Sequence, residues 1–358
     1  MTEQLKLKLN DSKATRWGAL VIVAFTMMAA YYVNDVVAPL KTMLETDLAW
    51  SSTDFGFFTG GYSFLNVFFL MLIWGGLILD RFGIRFTGKL ATILMVGGTA
   101  LEYYAMTGLA GADATLFGIN EIFGYKTGVF VAFAGYSIFG VGAEVAGITV
   151  SKIIAKWFKG KELATAMGVQ VALARIGSQA GYAVAIPLAR AFGISTPVLL
   201  GLVLLLGGMI AFFVFAVMDK KLDKQMEAAA IAAGTEDEEE KFSFKDVKNI
   251  LVNPGFWLIA LLCVLFYSCV FPFQKFASEL MIIKYGINEN VAGTFAGLPA
   301  LGALILTPVF GGFIDKRGKS ASIMLLGSAM LICVHFIYAI PDINYWLVAI
   351  VPVSYTHL

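Results

Sequence analysis

The sequence predicts an all-α protein that crosses a membrane many times. Three observations predict it. Only 14% of the 358 residues are charged and 59% are hydrophobic, with a mean hydropathy of +0.79; a soluble domain carries roughly 25% charged residues. The apolar residues fall into blocks of about 20 or more, the length a helix needs to span a bilayer. The basic residues alternate between successive loops, as they do where Lys and Arg stay on the cytoplasmic side.

Nine blocks are complete, at 17–40, 54–79, 86–107, 127–150, 163–188, 196–218, 255–275, 291–314 and 320–340, and a tenth begins near Tyr345. The first run is too long for a cleavable signal peptide and leads straight into the next block. Of the 26 Lys and Arg, 20 lie before block 1 or in loops 2–3, 4–5, 6–7 and 8–9. The alternate loops hold only Lys41, Lys126, Arg190 and Lys284. This asymmetry puts the amino terminus in the cytoplasm. The expected organisation is a tail over 1–16, a six-helix bundle over 17–218, a cytoplasmic linker over 219–254 with an acidic run at 236–240, and a partial second bundle over 255–352. The last six residues, 353–358, read VSYTHL and resemble a translated sequencing adapter, so a C-terminally truncated reading frame is expected.

Composition also excludes function classes. A net charge of +1 gives no basic field for nucleic acid. Three cysteines, Cys263, Cys269 and Cys333, lie inside apolar runs and make no disulfide framework. With two histidines, His335 and His357, no histidine-rich metal site is expected. No phosphate-binding GxxxxGK[ST] loop and no serine elbow occur, so neither an enzyme nor a cofactor is expected.

The chain repeats itself. GGLILDRFGIR over 75–85 follows block 2, and GGFIDKRGK over 311–319 follows block 8, with Asp80 and Asp315 in matching places. Two similar bundles in succession are the plan of many transporters. Gly76, Asp80, Arg81, Gly83 and Arg85 match the signature of the major facilitator superfamily between its second and third helices, with Phe86 departing from the last basic position. Gly311, Asp315, Lys316 and Gly318 form a looser second copy. The chain therefore resembles that superfamily, which implies twelve helices in two bundles and alternating access to a central cavity. The runs GVGAEVAG (140–147), KWFKGKELATAMGVQVALARIGS (156–178) and VFPF (270–273) are similar to its lysosomal dipeptide uniporter branch.

Charges inside a bilayer are expensive and mark function. Arg175 sits at the middle of block 5 and Glu144 lies in block 4, so the two can face one cavity; a permanent Glu–Arg bridge is the competing reading. The resemblance implies that the glutamate holds a peptide's ammonium group and the arginine its carboxylate. Asp35 is a further candidate for the cavity wall, and Tyr136, Tyr182 and Tyr267 are candidate hydrogen-bonding groups. Glu102 is expected to reach head groups or water, Lys275 to snorkel from the end of block 7, and Pro272 to kink that block.

The resulting expectation is a transporter of a small zwitterion, by resemblance a dipeptide, working as a uniporter. A proton-coupled or exchange carrier of small organic anions is the alternative, with Arg175 alone holding a carboxylate. A receptor or scaffold on the same fold is the alternative of another class. The partners are then a small-molecule substrate and the lipid bilayer, and the sequence names no accessory membrane protein. The only N-glycosylation sequon, Asn10-Asp11-Ser12, lies in the tail, and the first sixteen residues hold no acidic dileucine signal. Both observations favour a bacterial inner membrane.

Overall fold

Each apolar block becomes a helix because lipid offers no hydrogen bonds to an open backbone. In the computed structural model, which describes residues 8–111, 114–233, 249–317, 320–341, 344, 347 and 351, these helices are α1 (Lys13–Val36), α3 (Ser52–Phe68), α4 (Met71–Thr107), α5 (Thr127–Trp157), α6 (Leu163–Phe192), α7 (Thr196–Ala233), α8 (Pro254–Tyr285), α9 (Glu289–Arg317) and α10 (Ser320–Ala339). A short α2 (Lys41–Asp47) and a two-residue antiparallel pair, β1 (Glu121–Ile122) with β2 (Tyr125–Lys126), lie between them. Local chemistry sets several starts. Ser51 and Asp54 form a reciprocal capping box at α3, and Asn253 caps α8 ahead of Pro254. Gly286 ends α8 in the left-handed conformation.

Several boundaries differ from the expected ones, two of them with consequences for the packing of the first bundle. Block 54–79 is broken at Phe69–Leu70, where Leu70 takes a left-handed φ of 53°, and α3 and α4 are bent by 58°. Neither glycine nor proline marks this break; it re-aims the chain so that Gly75 packs against Val145, whose Cγ2 would lie 2.5 Å from an added Cβ. The second difference is α7, which continues to Ala233, so the first part of the 219–254 segment is helical. The acidic run lies outside the described residues.

Within α4 the chain reverses at Gly83, whose φ of 75° and ψ of 172° favour a residue without a Cβ. Before it, Gly75 meets Val145 and Asp80 meets Lys152, so this arm runs along α5 in the same direction. After it, Gly142 packs on Ala91, Gly98 on Phe139 and Gly128 on Leu109, so the second arm runs the opposite way. Small residues permit this contact: a Cβ on Gly98 would lie 2.4 Å from the Phe139 backbone nitrogen. Gly177 does the same for α6 on α1, where a Cβ would lie 2.1 Å from the Met28 carbonyl oxygen. With α3, α4 and α5 packed together and α1 against α6 and α7, the first seven helices share one core. The helices α8, α9 and α10 form a second, smaller core that also takes in Ala38 and Tyr182.

The basic segments gather at one end of the first bundle. Arg16 is bidentate on Glu162, with Nη2 2.9 Å from Oε1, and the Leu9 amide donates to Gln225 at 2.8 Å. Hydrogen bonds from Arg16 hold the Glu162 carboxyl below its ordinary value, and Lys161 does the same for Asp11. Asp219, fully buried, accepts from Lys156 (2.7 Å), the Trp157 indole (3.0 Å) and Arg85 (3.2 Å). The start of α1 and the end of the first bundle therefore lie at the same, basic end.

Among the described residues, several of the hydrogen bonds and ion pairs that join the two halves form a seam at the opposite end. Lys41, 2% exposed, binds Glu279 as well as Glu45 and Ser52. Arg190 pairs with Glu289 and donates to Asn290. Gln179 donates to the Thr294 carbonyl, and Gly293 packs on the Tyr182 carbonyl.

Candidate functional site

Below this seam lies a cavity of about 730 Å³ between the halves. Helices α1, α3, α5 and α6 form one wall, and α8 and α9 form the other. Arg175 enters from α6 and Glu144 from α5, as expected from their positions in the sequence. Among the described residues no ion pair joins them. Glu144 instead accepts a hydrogen bond from the Tyr62 hydroxyl at 2.7 Å, and the Arg175 guanidinium lies over the Tyr31 ring, 5.7 Å from its centroid. Two opposite charges thus face the same space without neutralising each other, contrary to the permanent-bridge reading.

Asp35 also lines the cavity, near the end of α1, and accepts from the Asn34 side chain at 2.8 Å. Tyr182 and Tyr267 are on the wall as well. The Tyr182 hydroxyl donates to the Gln274 carbonyl at 3.0 Å, so this tyrosine also ties α6 to α8. Tyr267 stacks on Phe271 at 5.1 Å, one turn before Pro272. Tyr136 does not line the cavity: it is completely buried behind the wall, and its hydroxyl bonds the Asn34 carbonyl at 2.7 Å. A tyrosine on a helix face packed by three neighbours is indistinguishable in sequence from a lining one.

Two charged residues stand elsewhere than their sequence positions suggest. Lys275 is not at a helix end, because α8 runs ten residues further, to Tyr285. Its ammonium lies on the cavity wall, donating to the Asn34 carbonyl (2.6 Å) and the Tyr136 hydroxyl (3.1 Å), 3.9 Å from Asp35. Glu102 does not reach head groups or water; it is 0% exposed, and neither carboxyl oxygen has a hydrogen-bond partner among the described residues. The second arm of α4 turns it inward against α5 rather than outward. Tyr62 and Asn34 are site residues that sequence reasoning missed. Their only sequence signal is polarity inside an apolar block.

At the basic end the repeated motif acts within the first bundle. Asp80 binds Lys152 at 2.9 Å, and Arg85 binds Asp219 and Asp223. Arg81 stacks on Phe82. Gly75, rather than Gly76, makes the close approach, since nothing lies within 4 Å of a Cβ on Gly76. In the second copy, Gly311, Asp315 and Lys316 lie on α9, but their side chains, and Gly318 altogether, lie outside the described residues.

A polytopic helical protein with two packed halves, small-residue seams and a charged central cavity is a membrane transporter, and its substrate is a small molecule. The sequence profile of the Major Facilitator Superfamily matches residues 19–356, and the chain belongs to that family. It is 27% identical to the lysosomal dipeptide transporter MFSD1 of Homo sapiens, over 93% of this chain and 68% of that one. It is 26% identical to the Danio rerio protein of the same name, over 95% and 70%. Solved structures share the fold. A bacterial homologue of the human drug peptide transporters PepT1 and PepT2 superposes with a TM-score of 0.64 at 13% identity, covering 95% of this chain and 80% of that chain. The xylose transporter XylE from E. coli superposes with a TM-score of 0.63 at 15% identity, covering 95% and 83%.

Proposed function

We propose that the protein moves a small zwitterion, a dipeptide, across the membrane as a uniporter by alternating access. The observation that carries this reading is the pair Glu144 and Arg175, opposite charges on facing helices that open on one cavity and are not bonded to each other. A guanidinium holds a carboxylate through two parallel hydrogen bonds, which suits the peptide's C-terminal group. Glu144, with Tyr62 already on one oxygen, keeps the other for an ammonium group. Relatives that bear the name dipeptide transporter support the choice of substrate.

The basic end is cytoplasmic in this proposal, since 20 Lys and Arg belong to its segments, and the closed seam faces outward. The lack of an acidic dileucine in the first sixteen residues and the placing of the Asn10-Asp11-Ser12 sequon in the cytoplasmic tail support a bacterial inner membrane as the location. The deciding experiment is Arg175→Lys, which keeps the charge and removes the fork. Dipeptide affinity should fall at least tenfold with the melting temperature little changed. Unchanged affinity refutes the clamp, and affinity retained for dicarboxylates alone favours the organic-anion carrier. The receptor reading predicts binding without saturable flux in any solute.

A further inference from the structure

Two tight turns between α4 and α5 carry phenylalanine where the backbone calls for asparagine or glycine. Leu116 pairs with Ile119 across Phe117-Gly118, and β1 pairs with β2 across Phe123-Gly124. All four central residues have positive φ: 54° at Phe117, 79° at Gly118, 52° at Phe123 and 80° at Gly124. Two-residue turns of this kind favour Asn-Gly, because a bulky side chain is strained at positive φ. Both phenylalanines also point away from the protein, 95% and 88% exposed. The turns are nonetheless pinned. Thr127 donates from its amide to the Asn120 carbonyl at 2.9 Å and from its hydroxyl to the Ile119 carbonyl at 2.8 Å, and Lys126 donates to the Ala49 carbonyl. Leu116 and Tyr125 pack on the core of the first bundle. One face of this unit is therefore docked, and the face bearing Phe117 and Phe123 is bare.

What covers the bare face follows from its neighbours. Tyr125 stacks on Phe57 with centroids 3.9 Å apart, and the Phe123 ring lies 6.0 Å from Phe130. Phe57 is more than a turn into α3, past Asp54, and Phe130 is in the first turn of α5, past Lys126. The unit thus lies beside the apolar starts of two membrane helices and does not stand beyond them. From Phe130 the rings continue through Phe133 (6.1 Å) and Phe64 (5.2 Å) to Phe68 (5.2 Å), which is exposed on the outer surface of α3 where lipid lies. The bare face is the end of that lipid-facing strip. Aromatic rings collect where a bilayer meets water. We propose that Phe117 and Phe123 are set into the membrane interface at the seam end, so that residues 116–126 are a lipid-binding anchor of the first half. The only charged side chains of this segment are Glu121 and Lys126, one of each sign. The attraction is therefore to the apolar–polar boundary of the bilayer and not to headgroup charge. It seats the protein in the membrane whatever solute is carried.

The test uses the full chain in phosphatidylcholine nanodiscs, with Cys263, Cys269 and Cys333 replaced by serine and one nitroxide-labelled cysteine introduced by Phe117→Cys, Phe123→Cys or Glu121→Cys. Glu121 is exposed on the same unit and serves as the control. Labels at 117 and 123 should collide mainly with oxygen, which concentrates in lipid, and the label at 121 mainly with a water-soluble nickel chelate. Adding phosphatidylglycerol should leave this pattern unchanged. A second measurement needs no label. Asparagine suits positive φ, so in water the double variant Phe117→Asn, Phe123→Asn relieves both turns and should slow hydrogen exchange of the 116–126 amides. With the rings anchored in lipid, the same variant should instead speed that exchange by about tenfold, the equivalent of about 1.4 kcal/mol. Exchange that is slowed or unchanged, or a lipid pattern that appears only with phosphatidylglycerol, would overturn the proposal. So would dominant nickel contact at 117 and 123, which would leave the face to a protein partner.

Discussion

Glu279 should act as one of the latches that hold the seam between the halves. Lys41, only 2% exposed, is shared by Glu45 (2.8 Å) and Ser52 (2.8 Å) from its own half and by Glu279 from the other. Glu279→Gln removes the cross-half charge and leaves the ammonium with its remaining partners. Stripping a buried ion of its counter-charge costs about 3–5 kcal/mol, but Glu45 remains, so the loss is closer to that of one charged hydrogen bond, about 1.5–3 kcal/mol. The contact exists only when the end is closed, so the whole loss falls on the open-to-closed equilibrium. At about 1.4 kcal/mol per tenfold, the open fraction rises roughly tenfold to 150-fold. The assay is outside labelling of a cysteine at Thr59 in a background without other cysteines. Glu45→Gln is the control, because that bond lies within one half and exists in both conformations. If Glu279→Gln left labelling unchanged, or if the two substitutions acted equally, Lys41 would not be a latch.

Two further outcomes concern the basic end. Asp219→Asn should destabilise the protein by about 3 kcal/mol, the low end for breaking a buried ion pair because Asp223 stays with Arg85 and Lys156; Asp223→Asn, at a half-exposed position, should cost less than about 1 kcal/mol, and the reverse order in thermal unfolding would contradict the buried-acceptor account. The bond from Arg16 lowers the Glu162 titration, so its stabilising effect is complete above the ordinary glutamate value and is lost as pH falls through the lowered one. Protection of the first turn of α1 from proteolysis should therefore persist at about pH 5 and fade below about pH 4, and should be weak at every pH in Glu162→Gln.

What the sequence determined by itself follows from the bilayer's demands. A span needs a long apolar run with internally satisfied backbone, so the apolar blocks became helices, six or seven of which are long and apolar enough to cross a membrane among the described residues. Arg175 and Glu144 were legible for the same reason: a charge in the middle of an apolar run stands out against its surroundings. The boundaries of short polar interruptions were not legible. The break at Phe69–Leu70 carries no breaker residue, and α8 hides its true end because its last ten residues read as a loop only if Lys275 is assumed to seek water.

Only the tertiary structure decided which face of each helix meets which neighbour, because apolar helices lack the polar face that fixes rotation in a soluble protein. Rotation here follows small-residue contacts such as Gly98 against Phe139 and Gly177 against the Met28 carbonyl. Those contacts turn Tyr136 behind the wall and Tyr182 onto it, and bury Glu102 completely. They also carry Lys275 across from the second half to Asn34 and Asp35. None of these placements is a property of one segment. The hydrogen bonds that fix Tyr136 and Lys275 join residues 102 to 241 positions apart in sequence, brought together by packing.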